Sequence, residues 1–248
     1  MQRQRKIVCF ANQKGGVGKT SVTALTSLAL AEKGLRVLVI DSDPQANLTF
    51  ALRGNTRGKG SYELLEGVPA RQTIQETSQG IDIIPSSLNL ATVKTSTGSA
   101  KRLQKALQPI RSIYDLIIID TPPTAGELLY NALQASTGLI IPLQADIFGL
   151  QGLYQISNTA QQFSKSNPDL MIKGFILTRY DQRGTLTRAM KAQIIKKAAE
   201  LGIPYLADIR EGIAIKEAIS LQRSIFEYAP RAKPTADYAE LFKKIMED

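Results

Sequence analysis

The chain has 248 residues, of which 43% are hydrophobic, and its 31 lysines and arginines against 22 acidic residues give a net charge of +9. It has one cysteine and no histidine. This excludes an internal disulfide, a cysteine-ligated iron–sulfur cluster, a Ser-His-Asp triad and a histidine-ligated zinc site. The basic excess favours an acidic partner, either nucleic acid or a membrane surface.

Apolar runs alternate with helical stretches along the whole chain. Strands are predicted at Lys6–Ala11, Arg36–Ile40, Ile81–Pro85, Leu116–Asp120, Gly138–Leu143, Lys173–Thr178 and Pro204–Ala207. Helices are predicted at about 18–33, 100–111, 126–134, 149–166, 186–201 and 234–246, and residues 52–80 as loops with one short helix near Tyr62–Leu65. Strands that are apolar at successive positions are typical of sheets covered on both faces. The pattern therefore predicts an α/β fold, a mostly parallel twisted β-sheet with helices on both faces.

No internal repeat, linker or low-complexity tract divides the sequence, so we expect a single domain over residues 1–248. No apolar run approaches the ~18 residues of a transmembrane helix, so none is expected.

The first predicted strand leads into a glycine-rich loop, Lys14-Gly-Gly-Val-Gly-Lys19-Thr20, and then a helix. This order is that of a phosphate-binding loop, in which glycines let backbone N–H groups face phosphate oxygens. Lys19 is expected to reach the β- and γ-phosphates, and the Thr20 hydroxyl to ligate Mg²⁺. Burying Lys14 beside Lys19 would be costly without a negative partner, so we expect Lys14 to contact a phosphate of another subunit. The predicted nucleotide-binding residues of this loop are Lys14, Gly15, Gly16, Val17, Gly18, Lys19, Thr20 and Ser21.

Two later strands end in carboxylates. Asp41 and Asp43 follow one strand, and Asp120 ends another just before Thr121-Pro-Pro123. The carboxyl ends of parallel strands share one edge of a sheet, which is where ligands bind. Carboxylates there can hold Mg²⁺ through water or orient a nucleophilic water.

The loop KGGVGKT resembles the deviant Walker A loop of the ParA/MinD family of P-loop ATPases, and Asp41-Ser-Asp-Pro-Gln-Ala-Asn47 is similar to its D-x-D-P-Q-x-N motif. The resemblance covers essentially the whole chain and favours the ParA/Soj type, in a short form without room for an N-terminal helix-turn-helix domain. It implies a P-loop NTPase fold with ATP and Mg²⁺ as cofactors. Lys14 would cross a two-fold interface to the partner's ATP.

The resemblance also assigns roles around the nucleotide. Asp41 and Asp120 would belong to the Mg²⁺ shell with Thr20, the aspartates through water. Asp43 would position the attacking water, which makes Lys14, Lys19 and Asp43 the predicted catalytic residues. Arg210 and Gly212 would lie in the loop beside the adenine.

The implied function is that of a DNA-partitioning ATPase whose ATP-bound homodimer binds non-specific double-stranded DNA. A ParB-like centromere-binding partner would stimulate the slow hydrolysis, and the protein would be cytoplasmic and nucleoid-associated when bound to ATP. Ala214 stands where the family often has an arginine, so Arg210 or Lys216 would replace that contact, or DNA binding would be weaker. The predicted DNA contacts are Arg183, Arg188, Lys191, Lys216, Arg223, Arg231 and Lys233.

Other functions remain open at this point. A ParA-like ATPase that positions a protein cargo would look nearly the same. A MinD-like membrane switch needs a basic amphipathic helix beyond the fold, whereas Tyr238–Asp248 is short and ends in acids, so no membrane partner is expected. A metabolic ATP-dependent enzyme such as an amidoligase would not need Lys14.

The stretch Lys94–Arg111 contains five basic residues and no acidic one. It predicts an amphipathic helix that packs on the sheet with a basic outer face. A face for a partner or for DNA is the alternative.

Overall fold

The computed structural model describes residues 6–247, and within them eight strands form one sheet. The strands are β1 (Lys6–Phe10), β2 (Val37–Asp41), β3 (Gln75–Glu76), β4 (Asp82–Ile84), β5 (Leu116–Asp120), β6 (Gly138–Leu143), β7 (Met171–Tyr180) and β8 (Tyr205–Arg210). Their order across the sheet is β3-β4-β2-β5-β1-β6-β7-β8. All neighbouring pairs are parallel except β3 and β4.

Helices connect the strands and cover the sheet. They are α1 (Lys19–Glu32), α2 (Asn47–Ala51), α3 (Ser61–Leu65), α4 (Arg102–Leu107), α5 (Glu127–Ala135), α6 (Ile147–Ser164), α7 (Thr185–Glu200), α8 (Ile213–Ser220), α9 (Ile225–Tyr228) and α10 (Lys233–Glu247). Short 3-10 turns lie at Ala70–Gln72, Leu88–Thr92 and Ser99–Lys101. None of the described helices combines the length and the apolar character that a bilayer crossing requires.

Alternate residues of the central strands pack into two different cores. In β1, Ile7 and Cys9 contact one core, whereas Val8 and Phe10 contact the other. The first core is completed by α3 to α7, and the second by α1, α2 and α8 to α10. Both faces of the sheet are therefore covered, which explains why these strands are apolar at successive positions. The predicted α/β fold is confirmed.

Several predicted bounds were wrong. β7 and β8 extend beyond their predicted ranges, and β8 runs on to Arg210. The region read as loops with one short helix also holds β3, a two-residue polar strand that is too short to show a period. α2 was missed as well. α4 ends at Leu107, earlier than predicted, because Pro109 lacks the N–H that would continue the helical hydrogen bonding.

Candidate functional site

The glycine-rich loop joins β1 to α1 at the carboxyl edge of the sheet. Gly16 and Gly18 have φ angles of 73° and 77°, in the left-handed region that favours glycine. Asn12 fastens the loop, since its Oδ1 accepts from Lys14 N at 2.9 Å and its Nδ2 donates to the Pro142 carbonyl oxygen at 2.7 Å. Thr178 Oγ1 lies 2.7 Å from the Val17 carbonyl oxygen. The shape of the loop is thus fixed by the protein itself.

A cleft of about 590 Å³ opens beside this loop. That volume lies in the usual range for small-molecule sites. The structure brings together every predicted nucleotide-binding residue except Lys14 in the lining of this cleft. The lining comprises Gly15, Gly16, Val17, Gly18, Lys19, Thr20, Ser21, Val22, Asp43, Gln45, Asn47, Pro123, Thr178, Arg179, Ile209, Arg210, Glu211, Gly212, Ile215, Lys216 and Tyr238.

Lys19 is the buried cation of the cleft and is only 6% exposed. Its Nζ donates to the Lys14 carbonyl oxygen at 3.2 Å. Burial lowers the pKa of Lys19, and the nearby charges of Asp120 and Asp43 oppose that shift. A buried ammonium with a single carbonyl acceptor among the described residues suits an anionic ligand such as a phosphate group.

Thr20 and Asp120 meet at the base of the cleft. The Thr20 hydroxyl donates to Asp120 Oδ2 at 2.7 Å, and Asp120 is fully buried at the end of β5. Burial raises the pKa of Asp120, and the charge of Asp41 raises it further. The pair offers two hard oxygen ligands of the kind that Mg²⁺ prefers. Within residues 6–247 no cluster of three or more acidic, histidine or cysteine side chains could hold a metal. A magnesium ion here would need further oxygens from phosphate or water.

Asp41 at the end of β2 is already engaged by the protein. Its carboxylate accepts from Asp43 N at 3.0 Å, Thr49 N at 2.8 Å and Thr49 Oγ1 at 2.7 Å. Burial raises the pKa of Asp41 to about 6 in spite of these bonds. In this structure the side chain holds the turn that carries Asp43, and its magnesium role stays a prediction.

Asp43 lines the cleft and faces the phosphate loop. Its Oδ1 accepts from Gln45 N at 3.0 Å. Among the described residues, no hydrogen bond to its Oδ2 is found. A carboxylate that lines a cleft and has an oxygen without a described partner can accept a hydrogen bond from water, so the geometry is compatible with the predicted role of Asp43.

Lys14 points away from the cleft to an acidic partner that sequence reasoning missed. Its Nζ lies 2.8 Å from Asp146 Oδ2 and 3.4 Å from Gln144 Oε1, and 5.2 Å from the centre of the Phe148 ring. The other Asp146 oxygen accepts from Gly149 N at 2.6 Å and caps α6. Exposed Ile147 and Phe148 flank this contact. The sequence signal that could have found this partner is Asp146 itself, an acidic residue two positions after Pro142-Leu-Gln144.

The predicted DNA contacts differ in their surroundings. Arg183 is 91% exposed and pairs with Asp181, and Arg188, Arg231 and Lys233 are exposed. Arg223 pairs with Glu227 at 2.6 Å.

Three of the predicted basic side chains are engaged within the subunit. Lys191 pairs with Asp208 between the rings of Tyr180 and Tyr205, so the expected DNA contact finds no support in its geometry. Lys216 lines the cleft and pairs with Glu211 at 3.6 Å, although its side chain is 71% exposed. Arg210 also lines it, but Asp237 and the Lys233 carbonyl oxygen hold its guanidinium.

Comparison with known proteins identifies the family. Residues 5–172 match a family model described as an AAA domain. The chain is 34% identical to the sporulation initiation inhibitor protein Soj of Bacillus subtilis, with 97% of this chain and 98% of that protein covered. It is 33% identical to the chromosome-partitioning ATPase Soj of Thermus thermophilus, with 96% and 94% covered. It is 34% identical to the chromosome partitioning protein ParA of Caulobacter vibrioides, with 97% and 94% covered. The chain belongs to the ParA/Soj family.

Solved structures place this ParA/Soj chain among nucleotide-bound relatives. Cobyrinic acid a,c-diamide synthase from Mycobacterium smegmatis, with bound ADP and magnesium, has a TM-score of 0.83 and 29% identity, with 98% of this chain and 95% of that chain covered. A plasmid partition protein of Borrelia burgdorferi bound to AMPPNP has a TM-score of 0.80 and 26% identity, with 98% and 99% covered. The fold is thus shared by a synthase and a partition protein, and by itself does not choose between their functions.

Proposed function

We propose that the protein is a partitioning ATPase that binds ATP with Mg²⁺ and hydrolyses the γ-phosphate. The observation that carries the proposal is the fixed loop that places Lys19 and Thr20 in one cleft, with buried Asp120 hydrogen-bonded to Thr20. Relatives that span nearly the whole chain bear the names of chromosome-partitioning proteins. Residues 1–248 would then act as a single ATPase domain. Arg210 and Gly212 would lie beside the adenine of the nucleotide.

The side chains divide the chemistry between them. Lys19 neutralises phosphate charge, and Thr20 with Asp120 and Asp41 would hold the metal, the aspartates through water. Magnesium, when bound, supplies charge stabilisation at the transferred phosphoryl group. Asp43 orients the attacking water with its Oδ2, while the Asp41 carboxylate keeps the turn in place. Because Asp43 has no strong base beside it, we expect slow hydrolysis without a partner.

We propose further that ATP closes two subunits face to face. Each Lys14 then leaves Asp146 for a phosphate of the other subunit, and exposed Ile147 and Phe148 lie beside that contact. The closed homodimer binds non-specific double-stranded DNA through basic side chains of both copies, and a ParB-like activator triggers release. A cytoplasmic, nucleoid-associated location follows from this cycle. The candidate contacts are Arg183, Arg188, Lys216, Arg223, Arg231 and Lys233.

The first test is binding to a non-specific duplex at fixed moderate salt, with ATP, ADP and no nucleotide compared side by side. Tight, salt-sensitive binding that requires ATP is the expected result. Equal binding in all three states would contradict the switch. Absence of binding in every state would favour a protein cargo or a membrane, and anionic lipid vesicles would separate those two.

Two variants test the division of labour. Lys14→Ala is expected to impair dimer closure or turnover while the monomer retains affinity for ATP. Asp43→Ala is expected to hold the ATP dimer on DNA because hydrolysis is lost. Lys33→Ala, an exposed lysine at the end of α1, is the control. Unchanged turnover in both Lys14→Ala and Asp43→Ala would refute the mechanism.

A second candidate function is ATP-dependent amide synthesis. It is favoured by the 29% identity to cobyrinic acid a,c-diamide synthase over 98% of this chain. Such an enzyme would turn over ATP only with a carboxylic acid acceptor and an ammonia source, and would not respond to DNA. Comparing ATP turnover with duplex DNA and with a panel of carboxylic acids distinguishes the two.

A further inference from the structure

A second basic surface lies around α4, away from the residues assigned so far. Residues 83–114 contain five basic residues and no acidic one, in a chain with 22 acids. Lys94, Lys101 and Lys105 are exposed, and we call these three lysines the α4 face. The proposed ATPase cycle makes no use of them.

The α4 face is presented by a packed scaffold. Leu103 and Leu107 of α4 are buried in the core, which leaves Lys101 and Lys105, four residues apart, on neighbouring turns of the outer side. The loop that carries Lys94 is tied to the helix, because the Arg102 guanidinium donates to Ser96 Oγ at 3.2 Å. A hydrogen bond therefore links the loop of Lys94 to the helix that carries Lys105.

The three lysines have no ion-pair partner among the described residues. The neighbouring acid, Glu66, pairs with Arg102 at 3.5 Å. Asp169 lies across a cleft of about 280 Å³ that Lys105 helps to line. Like charges on adjacent turns destabilise a helix, and nothing among residues 6–247 accounts for keeping these charges together. A polyanion bound from outside the subunit would account for it.

Lys105 of the α4 face lies at the opposite edge of the sheet from the phosphate loop. The cleft beside Lys105 is lined by Ile7 at the start of β1, by Thr137 just before β6 and by Asp169 just before β7. These positions mark the amino ends of parallel strands, whereas Lys19 and Asp120 lie at the carboxyl ends. A ligand bound at Lys105 would not compete with a nucleotide.

The chemistry of the surface matches a phosphate backbone. Exposed Thr95, Thr97 and Gln104 lie among the lysines and can donate hydrogen bonds to phosphate oxygens, as such side chains do in DNA complexes. Residues 83–114 hold no exposed aromatic side chain of the kind that anchors protein interfaces, and Tyr114 is buried. Leu88 is the one large hydrophobic side chain exposed in residues 83–114, so they lack the apolar face with which an interfacial helix enters a membrane.

We propose that the α4 face is a second contact surface for double-stranded DNA, available on each monomer without nucleotide. The proposal extends the proposed function, in which DNA binding requires ATP. It gives the released monomer a weak, purely electrostatic hold on DNA. Three phosphate contacts would give a slope of log K against log salt of about −2.7.

The test uses the full chain and measures binding to a non-specific duplex over a range of salt, without nucleotide and with ATP. The triple variant Lys94→Gln, Lys101→Gln, Lys105→Gln is compared with Lys33→Gln, Arg57→Gln, Lys165→Gln. The control also removes three exposed positive charges, for which no ion pair occurs among the described residues. Thermal melting of both variants shows that they are folded.

We expect the nucleotide-free protein to bind weakly and the α4 variant to lose most of that binding, at least 10-fold, while the control changes by less than 3-fold. Equal losses in both variants, no nucleotide-free binding by the unmodified chain, or binding to anionic vesicles instead of duplex would overturn the proposal. Failure of the proposed function looks different: ATP would then add nothing to DNA binding, whatever the α4 variant does.

Discussion

The ion pair between Lys14 and Asp146 predicts how readily the proposed dimer forms. Asp146→Asn removes the negative charge but keeps a side-chain oxygen to accept from Gly149 N, so the start of α6 is preserved. The side chains are 27% and 39% exposed. A pair exposed to this extent contributes about 0.5–1 kcal/mol.

In the proposed dimer, both copies of Lys14 must leave Asp146, so the cost of breaking the pair enters twice. Removing about 1–2 kcal/mol lowers the dimer dissociation constant by about 5- to 30-fold. We therefore expect Asp146→Asn to dimerise at lower protein concentration with ATP, and to remain monomeric without it.

Sedimentation velocity over a protein dilution series measures this constant, with Asp43→Ala as the background so that ATP persists. Asp169→Asn, which removes an exposed carboxylate at the other edge of the sheet, is the matched control. If Asp146→Asn melts like the parent and its dimer constant is unchanged or higher, the pair does not restrain Lys14 and the reasoning is wrong.

Three further predictions concern the framework. Burial raises the pKa of Cys9 to about 12, so the thiol stays protonated between pH 7 and 9, and iodoacetamide should label it only after denaturation; rapid labelling of the native protein would contradict this burial. A Cβ on Gly149 would lie 1.9 Å from the Gln144 carbonyl oxygen. Gly149→Ala should therefore lower the free energy of unfolding, measured in urea, by about 1–3 kcal/mol. A loss under ~0.5 kcal/mol would mean that the start of α6 adjusts freely. Asp237→Ala removes the carboxylate that holds Arg210 and should cost about 1.5–3 kcal/mol. Additive losses in the Arg210→Ala, Asp237→Ala double variant would show that the two side chains are not coupled.

Much of the fold could be predicted because its signals are local. The run Leu116–Asp120 is apolar up to its final carboxylate, which predicts a doubly covered strand and a site at its end. β2, β5 and β1 are neighbours in the sheet, so Asp41, Asp120 and the phosphate loop meet at one edge as expected. β3 escaped prediction because two polar residues carry no period, and only pairing with β4 defines them as a strand.

The parts of the site that sequence reasoning missed are held by contacts between distant residues. Lys14 and Asp146 are 132 positions apart, and Thr178 reaches the loop from 161 positions away. Lys191 is a second example of a long-range contact that the sequence does not reveal. Its charge looks available for DNA in the sequence, but in the structure it is paired with Asp208 of β8. A count of basic residues does not reveal which of them are already paired.

The acids at the cleft differ in their electrostatic surroundings. Burial disfavours the charged forms of both Asp120 and Lys19, raising the pKa of one and lowering that of the other, and each is only partly compensated by the other's charge. A ligand of complementary charge stabilises the ionic form of this pair. A divalent cation would stabilise the Asp120 carboxylate, and a phosphate would stabilise the Lys19 ammonium. Asp41 differs because its carboxylate already accepts three hydrogen bonds, one from Asp43 and two from Thr49 of α2. The second carboxylate of the motif, Asp43, lines the cleft, and its backbone N–H donates to the first one. Two acids separated by one residue thus differ in their surroundings because of hydrogen bonding that their spacing alone does not specify.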